Sequence, residues 1–363
     1  MTKMKILTVV GARPQFIKAA AVSRTIRADF ADAIEEVLVH TGQHYDENMS
    51  GVFFDELEVG KPRHNLEISG GSHGAMTGRM LESVERVIQE EAPDWLLIYG
   101  DTNSTLAGAL AAAKLNVPVA HVEAGLRSFN MRMPEEVNRI LADRVSNLLF
   151  CPTETAVQNL KGEGITAGVH QVGDVMYDVA LFYRDIARAR STIQITLGLD
   201  GRKFVLATCH RAENTDNPER LEQILKGLAL VARDMPVILP LHPRTRKIIE
   251  QRNLEHHLAG LTILEPLSFL DMVALEQAAY VILTDSGGVQ KEAFFYGVPC
   301  VTMRDETEWV ETVHLGWNTL VGASAERIVD AVARAGRPAH AQTPYGDGRA
   351  AHAIVSIIQN SKI

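Results

Sequence analysis

The sequence predicts an α/β protein built from two Rossmann-like, doubly wound parallel-sheet domains facing a cleft. Three observations predict it. Short apolar runs rich in β-branched residues alternate with helix-period segments along the chain, the pattern of parallel strands and crossover helices. The alternation starts twice with the same logic: residues 5–10 lead into Gly11-Ala12-Arg13-Pro14, and residues 203–209 into His210-Arg211-Ala212-Glu213. Third, Tyr280-Val281-Ile282-Leu283 is broken by Ser286-Gly287-Gly288 before helical spacing resumes over 289–296. A strand, a small-residue turn and a helix N-terminus expose unbonded N–H groups and the positive end of a dipole, a seat for a diphosphate. The pattern places a first domain at residues 1–172, a second at 173–343, and a helix over 344–363 that crosses back to the first.

Composition narrows the function classes. At 363 residues, 46% hydrophobic and 22% charged, the chain has ordinary globular composition and enough length for two cores. A net charge of −9 argues against a nucleic-acid surface and offers no polybasic membrane patch, so an anionic ligand needs a local basic pocket. The three cysteines, Cys151, Cys209 and Cys300, are far apart and predict reduced thiols. Gly11-Ala12-Arg13-Pro14 cuts the first apolar run short of a signal sequence, and no run reaches a bilayer's width. A cytoplasmic protein is expected.

In the first domain, residues 5–10 form a strand covered on both faces, and 16–26 a helix. Arg13 and Lys18 then flank a β–α turn, where ligands of open α/β sheets sit. Residues 36–40 read as a second strand, ending in Thr41-Gly42-Gln43-His44; His40 and His44 are four apart, but on a strand end and a loop they cannot share a metal. A helix follows over 74–90, a strand over 94–99, an alanine-rich helix over 105–114 and a strand over 117–122. Asp101 and Glu123 therefore stand at the carboxyl ends of neighbouring strands. One such acid is usually a helix cap, whereas two facing one crevice favour chemistry. Met133-Pro134-Glu135-Glu136 has the proline and first-turn acids of a helix start, and Glu135 and Arg139 have the spacing of a surface ion pair. Residues 148–151 close this half.

A helix over 176–189 leads to the second domain, with helices over 221–233 and 269–278 and strands over 236–241, 262–264 and 298–303. His210 and His242 stand at strand ends. Glu292, one turn into the helix after Gly288, is placed to reach a neutral polyol such as a ribose. The ordinary alternative for that stretch is a β–α turn with a capping serine.

Some chemistries drop out. No GxGxxG follows a strand; Gly346-Asp347-Gly348-Arg349-Ala350-Ala351 fits GxGxxA by letter but has no strand before it. There is no Walker loop and no GxSxG elbow. What remains is a nucleotide diphosphate held by backbone and cations, with carboxylates and histidines placed for proton transfer.

Assembled in order, Val10-Gly11-Ala12-Arg13-Pro14, Gly100-Asp101-Thr102, His121-Val122-Glu123-Ala124-Gly125-Leu126-Arg127, Pro134-Glu135-Glu136-Val137-Asn138-Arg139, Cys209-His210-Arg211, Thr284-Asp285-Ser286-Gly287-Gly288 and Pro344-Tyr345-Gly346-Asp347-Gly348 carry a resemblance over nearly the whole chain. The sequence resembles the non-hydrolysing UDP-N-acetylglucosamine 2-epimerases, which have the two-domain GT-B fold. The resemblance implies a UDP-sugar substrate, no cofactor, anti elimination of UDP and syn re-addition. It makes Asp101, Glu123 and Glu135 the carboxylates of proton transfer, with His210 assisting at the departing phosphate. It gives Arg13, Lys18, Arg139 and the N–H groups of Ser286, Gly287 and Gly288 to the diphosphate, with Glu292 at the ribose and His242 lining the site. Gln43 and His44 match the segment that binds a second UDP-sugar as allosteric activator in some members. A homodimer, surface-polysaccharide synthesis and a cytoplasmic location complete the expectation.

Two departures bear on the sugar. Arg127-Ser128-Phe129-Asn130-Met131-Arg132-Met133 is shorter than the usual loop, and Glu308-Trp309-Val310-Glu311 replaces a Glu-Arg-Pro-Glu run. Both look like the branch acting on UDP-2,3-diacetamido-2,3-dideoxyglucuronate, with Arg132 a partner for the C6 carboxylate. The competing readings are a hydrolysing 2-epimerase, a GT-B glycosyltransferase and a non-catalytic nucleotide-sugar sensor.

Overall fold

The computed structural model describes residues 3–43, 60–338 and 343–361. The chain divides into two compact units, one of Met1–Val179 with Thr343–Ile363, the other of Ala180–Gln342.

Unit 1 carries seven strands among its described residues: β1 (Met4–Val10), β2 (Ile34–His40), β3 (His64–Asn65), β4 (Trp95–Tyr99), β5 (Val119–Val122), β6 (Leu148–Cys151) and β7 (Val169–Gln171). They lie in the order β3-β2-β1-β4-β5-β6-β7 and every pairing is parallel. The chain winds outward from β1, then returns to its other side at β4. Helices cover both faces, which is why Leu96, Leu97 and Ile98 are all buried and the strands read as unbroken apolar runs. The helix Asn103–Lys114 begins at a Thr102–Thr105 capping box and lies close to the sheet through small residues. A Cβ on Gly108 would stand 3.2 Å from Ile98 Cγ2.

Unit 2 repeats the winding with β8 (Val205–Thr208), β9 (Val237–Pro240), β10 (Thr262–Leu264), β11 (Val281–Thr284), β12 (Cys300–Thr302) and β13 (Asn318–Leu320). Their order is β10-β9-β8-β11-β12-β13, again all parallel. Each unit therefore has a topological switch point, at β1/β4 and at β8/β11. Ligands of such sheets bind outside the strand carboxyl ends at that point.

The C-terminal helix Ala350–Asn360 packs in unit 1 against the helix Arg13–Asp29. Asp178 holds its start, accepting the Ala350 and Ala351 N–H groups at 3.2 and 2.8 Å. The glycines of the Gly346-Asp347-Gly348 run serve a turn. Gly173 (φ +88°) passes so close to it that a Cβ would stand 2.7 Å from the Tyr345 carbonyl oxygen. Among the described residues no helix is long and apolar enough to cross a membrane.

Candidate active site

At the switch point of unit 1 the turns after β1 and β4 are tied by one side chain. Buried Gln15 accepts the Gly11 and Ala12 N–H groups at 2.8 and 3.1 Å and donates to the Tyr99 carbonyl at 2.8 Å and Thr105 Oγ1 at 2.9 Å. Arg13, in the same turn, is half-buried. Gln43 reaches the neighbouring helix start, where its Oε1 accepts the Ser104 N–H at 3.1 Å and the Ser104 hydroxyl at 2.8 Å. His44 lies outside the described residues.

The two strand-end acids each meet a cation. Asp101 accepts from Arg139, and Glu123 from Lys18, whose ammonium is buried with it. Lys18 and Arg139, expected at the diphosphate, are thus engaged with the carboxylates of their own unit. A Cβ on Gly100 would lie 3.5 Å from Glu123 Oε2 and 3.6 Å from Lys18 Nζ, so the pair sits directly beside the residue preceding Asp101. Glu123 also occupies the left-handed backbone region, with φ +71°. That conformation costs a non-glycine residue on the order of 1 kcal/mol and clusters at working sites.

Glu135 and Glu136, adjacent at the start of the helix Pro134–Val145, part company. Glu135 is exposed. Glu136 is 1% exposed and accepts the Ser128 N–H, the Ser128 hydroxyl, the Phe129 N–H and Arg139 Nη1, at 2.8 to 3.0 Å. Arg139 therefore pairs with Glu136 and Asp101, and Glu136 shapes the short 127–133 loop. Beneath them, Asp143 holds the turn after β5. It accepts from His121, from the Gly125 N–H at 3.1 Å and from Arg127 at 2.8 Å. Burial alone would raise its pKa, but His121 and Arg127 outweigh burial and hold the carboxyl below the ordinary range.

In unit 2, Asp285 organises the turns after β8 and β11. Wholly buried, it accepts the His210 and Arg211 N–H groups at 3.0 Å each and Asn214 Nδ2 at 3.2 Å. The His210 side chain keeps 45% of its surface exposed, with Nδ1 3.6 Å from Asp285 Oδ1. Its pKa is pulled down, first by partial desolvation and then by Arg211 and His242, against the pull of Asp285. With so much of the ring in water that shift is a screened one. His242 is exposed and caps the helix Pro243–Gln251, accepting the Arg244 N–H at 3.2 Å.

Ser286 is the N-cap of the helix Gly287–Phe295, and its side chain makes no capping bond. The first turn is thus not capped by its own N-cap side chain. Glu308 and Trp309 close one side of it: a Cβ on Gly287 would lie 2.6 Å from Glu308 Oε1 and 3.3 Å from Trp309 Nε1. Arg304 donates to Glu308 at 3.1 Å, and buried Lys291 stacks 4.0 Å from the centre of the Trp309 ring. Half-buried Glu292 lies against wholly buried Glu276, whose carboxyl is pushed well above the usual range by burial and by the Glu292 charge. Burial drives the thiols of Cys151 and Cys300 up to about 12.

Sequence reasoning passed over Gln15 and Asp143, and quoted Glu136 and Lys291 within motifs without giving them a site role. Asp285 and His121 stood inside quoted motifs without a role. Only the doublet Glu135-Glu136 carried a signal, and it did not say which acid is buried.

Fold and site together define a two-unit α/β enzyme, with paired carboxylates and cations at one switch point and an open helix start at the other. Residues 27–359 match the UDP-N-acetylglucosamine 2-epimerase family, and the chain belongs to it. It is 57% identical over 331 residues to the UDP-2,3-diacetamido-2,3-dideoxy-D-glucuronate 2-epimerase of Pseudomonas aeruginosa, covering 90% of this chain and 91% of that one. It is 43% identical over 369 residues to the UDP-N-acetylglucosamine 2-epimerase of Methanocaldococcus jannaschii, covering 99% and 100%. The crystal structure of the Methanocaldococcus jannaschii enzyme in complex with UDP-GlcNAc and UDP superposes with a TM-score of 0.89 at 41% identity, covering 99% of this chain and 100% of that one. The Neisseria meningitidis enzyme bound to UDP-GlcNAc gives 0.89 at 32% identity, with the same coverage.

Proposed function

We propose that this protein is a non-hydrolysing C2 epimerase of a UDP-2-acetamido sugar, and that the sugar is the 2,3-diacetamido uronate, converted between its gluco and manno forms. The observation that carries the chemistry is the pair of carboxylates at the ends of β4 and β5, each set against a cation, Asp101 with Arg139 and Glu123 with Lys18. A carboxylate kept ionised by a neighbouring cation can take a proton, and a second carboxyl nearby can return one. The 57% identity to the diacetamido uronate epimerase supports the sugar. So do the short loop carrying exposed Arg132 and the Trp309 position.

In this reading one carboxylate of unit 1 removes the C2 proton while the C1–O bond breaks and its electron pair leaves on the β-phosphate of UDP. The products are a 2-acetamidoglycal and UDP. UDP then adds back at C1 as a carboxyl group delivers a proton to the opposite face of C2, so no atom is lost and no redox step is needed. Glu135 is the third acid of this set. His210 assists at the departing phosphate, with His242 nearby. Arg13 and the N–H groups of Ser286, Gly287 and Gly288 bind the diphosphate, and Glu292 the ribose. Gln43 and His44 belong to a site for a second UDP-sugar as activator, in a homodimer that serves surface-polysaccharide synthesis in the cytoplasm.

The test is incubation with each UDP-sugar in D₂O, followed by proton NMR. Loss of the C2 proton signal with a nucleotide-linked manno product is expected, faster for the uronate. Release of free sugar would mark the hydrolysing reaction. No exchange on either compound would overturn the proposal.

A further inference from the structure

We infer that His121 is a positioning residue for this proton transfer: a doubly hydrogen-bonded imidazolium that locks the turn carrying Asp101 to the turn carrying Glu123. The inference rests on reading those two acids as the proton-transfer groups.

His121 lies on β5, two residues before Glu123, and its ring is wholly buried. Nδ1 stands 2.7 Å from Asp143 Oδ1, and Nε2 stands 2.8 Å from the carbonyl oxygen of Gly100. A carbonyl oxygen only accepts, and so does an ionised carboxylate. A neutral imidazole has one N–H, so its other nitrogen would press a lone pair against an oxygen lone pair at less than 3 Å. A proton on Asp143 Oδ1 would satisfy the same two contacts, but Arg127 donates to Oδ2 of that carboxylate and favours its ionised form. Both ring nitrogens therefore carry hydrogen. The charge is balanced along the chain of contacts. Arg127 bridges Asp143 to Glu163, donating to the two Glu163 oxygens at 2.6 and 2.8 Å, so two cations meet two anions.

What the ring holds is the peptide unit before Asp101. The Gly100 N–H donates to the Val122 carbonyl at 3.0 Å, and its own carbonyl accepts from His121. The Gly100 carbonyl and the Asp101 N–H share one rigid plane, so clamping the first orients the second. Glu123 has φ +71°, a conformation that a non-glycine residue keeps only when its surroundings hold it, whereas Gly100 adopts its φ of +62° freely. One buried ring thus spans the two strand ends at which the acids emerge.

The experiment compares wild type with His121→Asn, which keeps a single short donor and loses the charge. With the UDP-sugar that wild type turns over, kcat and C2 deuterium wash-in are expected to fall about 100-fold, the cost typical of a misplacement near 1 Å. KM and UDP affinity should stay within about twofold, a split that general loss of structure would not give. A folded variant with kcat within about threefold of wild type would overturn the inference. Should the variant not fold, ¹⁵N NMR of ring-labelled histidine in wild type decides: one-bond N–H couplings at both His121 nitrogens support it, and a neutral tautomer overturns it. Asp101→Asn and Glu123→Gln separate the two failures. If these retain full turnover, the underlying assignment of the acids fails and this inference with it. If they are inactive while His121→Asn is normal, only this inference fails.

Discussion

Asp285 and His210 are joined through the backbone more firmly than through their side chains. The carboxylate accepts the His210 N–H at 3.0 Å, while the imidazole Nδ1 is 3.6 Å from the same group. Asp285 therefore shapes the turn on which His210 rides. Replacing it with alanine strips the acceptor from two main-chain N–H groups and from Asn214. Hydrogen bonds to a buried charge are worth about 1.5–3 kcal/mol each, so Asp285→Ala should destabilise unit 2 by about 3 kcal/mol or more. Urea unfolding measures this, and a loss below about 0.5 kcal/mol would refute it.

Lys18 and Glu123 form a buried ion pair, and removing Lys18 takes a cation from beside the buried carboxylate. Lys18→Met should cost about 3–5 kcal/mol in denaturant unfolding. It should also move the acid limb of the kcat profile to higher pH, because a buried carboxylate without its cation takes a proton more readily. An unmoved limb would argue against Glu123 as the base.

Asp178 offers a pH test within unit 1. Burial raises its carboxyl from 3.8 to about 6, against the two helix N–H groups that lower it. The folded state thus binds this proton more tightly than the unfolded chain does. The contribution is fully present below pH 3.8 and is lost as pH rises through about 6. Asp178→Asn lacks this term, so its melting temperature relative to wild type should climb between those pH values and then level off. A constant difference across that window would contradict the assignment.

Gly287 and Gly288 should respond differently to alanine. At 287 the new Cβ meets Glu308 at 2.6 Å, whereas at 288 it meets only Ser286 Oγ at 3.8 Å. Overpacking of this kind costs about 1–3 kcal/mol. Gly287→Ala should lose that much stability and, by displacing Glu308 and Trp309, bind UDP on the order of tenfold more weakly by calorimetry. Gly288→Ala should keep wild-type stability.

Arg132 tests the sugar. Arg132→Ala should lower turnover of the diacetamido uronate on the order of tenfold, about the 1.4 kcal/mol of one exposed charge contact, and leave UDP-N-acetylglucosamine unaffected. Equal rates on the uronate before and after the change would remove its role.

The two parallel sheets were legible because strands covered on both faces must be apolar throughout, as β4 and β11 are. The edges were not. β3, β7 and β13 span two or three residues each, too short for any period to register. Strand-end positions drew attention to Asp101 and Glu123, but their partners lie elsewhere in the chain. Arg139 meets Asp101 across 38 positions and Lys18 meets Glu123 across 105. Local spacing suggested a Glu135–Arg139 pair, whereas the helix turns Glu136 inward and leaves Glu135 exposed. Such pairings depend on which strands become neighbours, and only the folded sheet decides that.

The return of the last helix to unit 1 sets an order on biosynthesis. Ala180–Gln342 is contiguous, so all of its residues are joined before Thr343 is added, while unit 1 still lacks the helix that packs on Arg13–Asp29. At about 5–20 residues per second, that helix is made roughly tens of seconds after the one it covers. Until then, the first helix of the nascent chain has a face with nothing to cover it. A chaperone that engages apolar surface would find this protein by unit 1, and loss of the helix Ala350–Asn360 would injure the unit whose strands are made first.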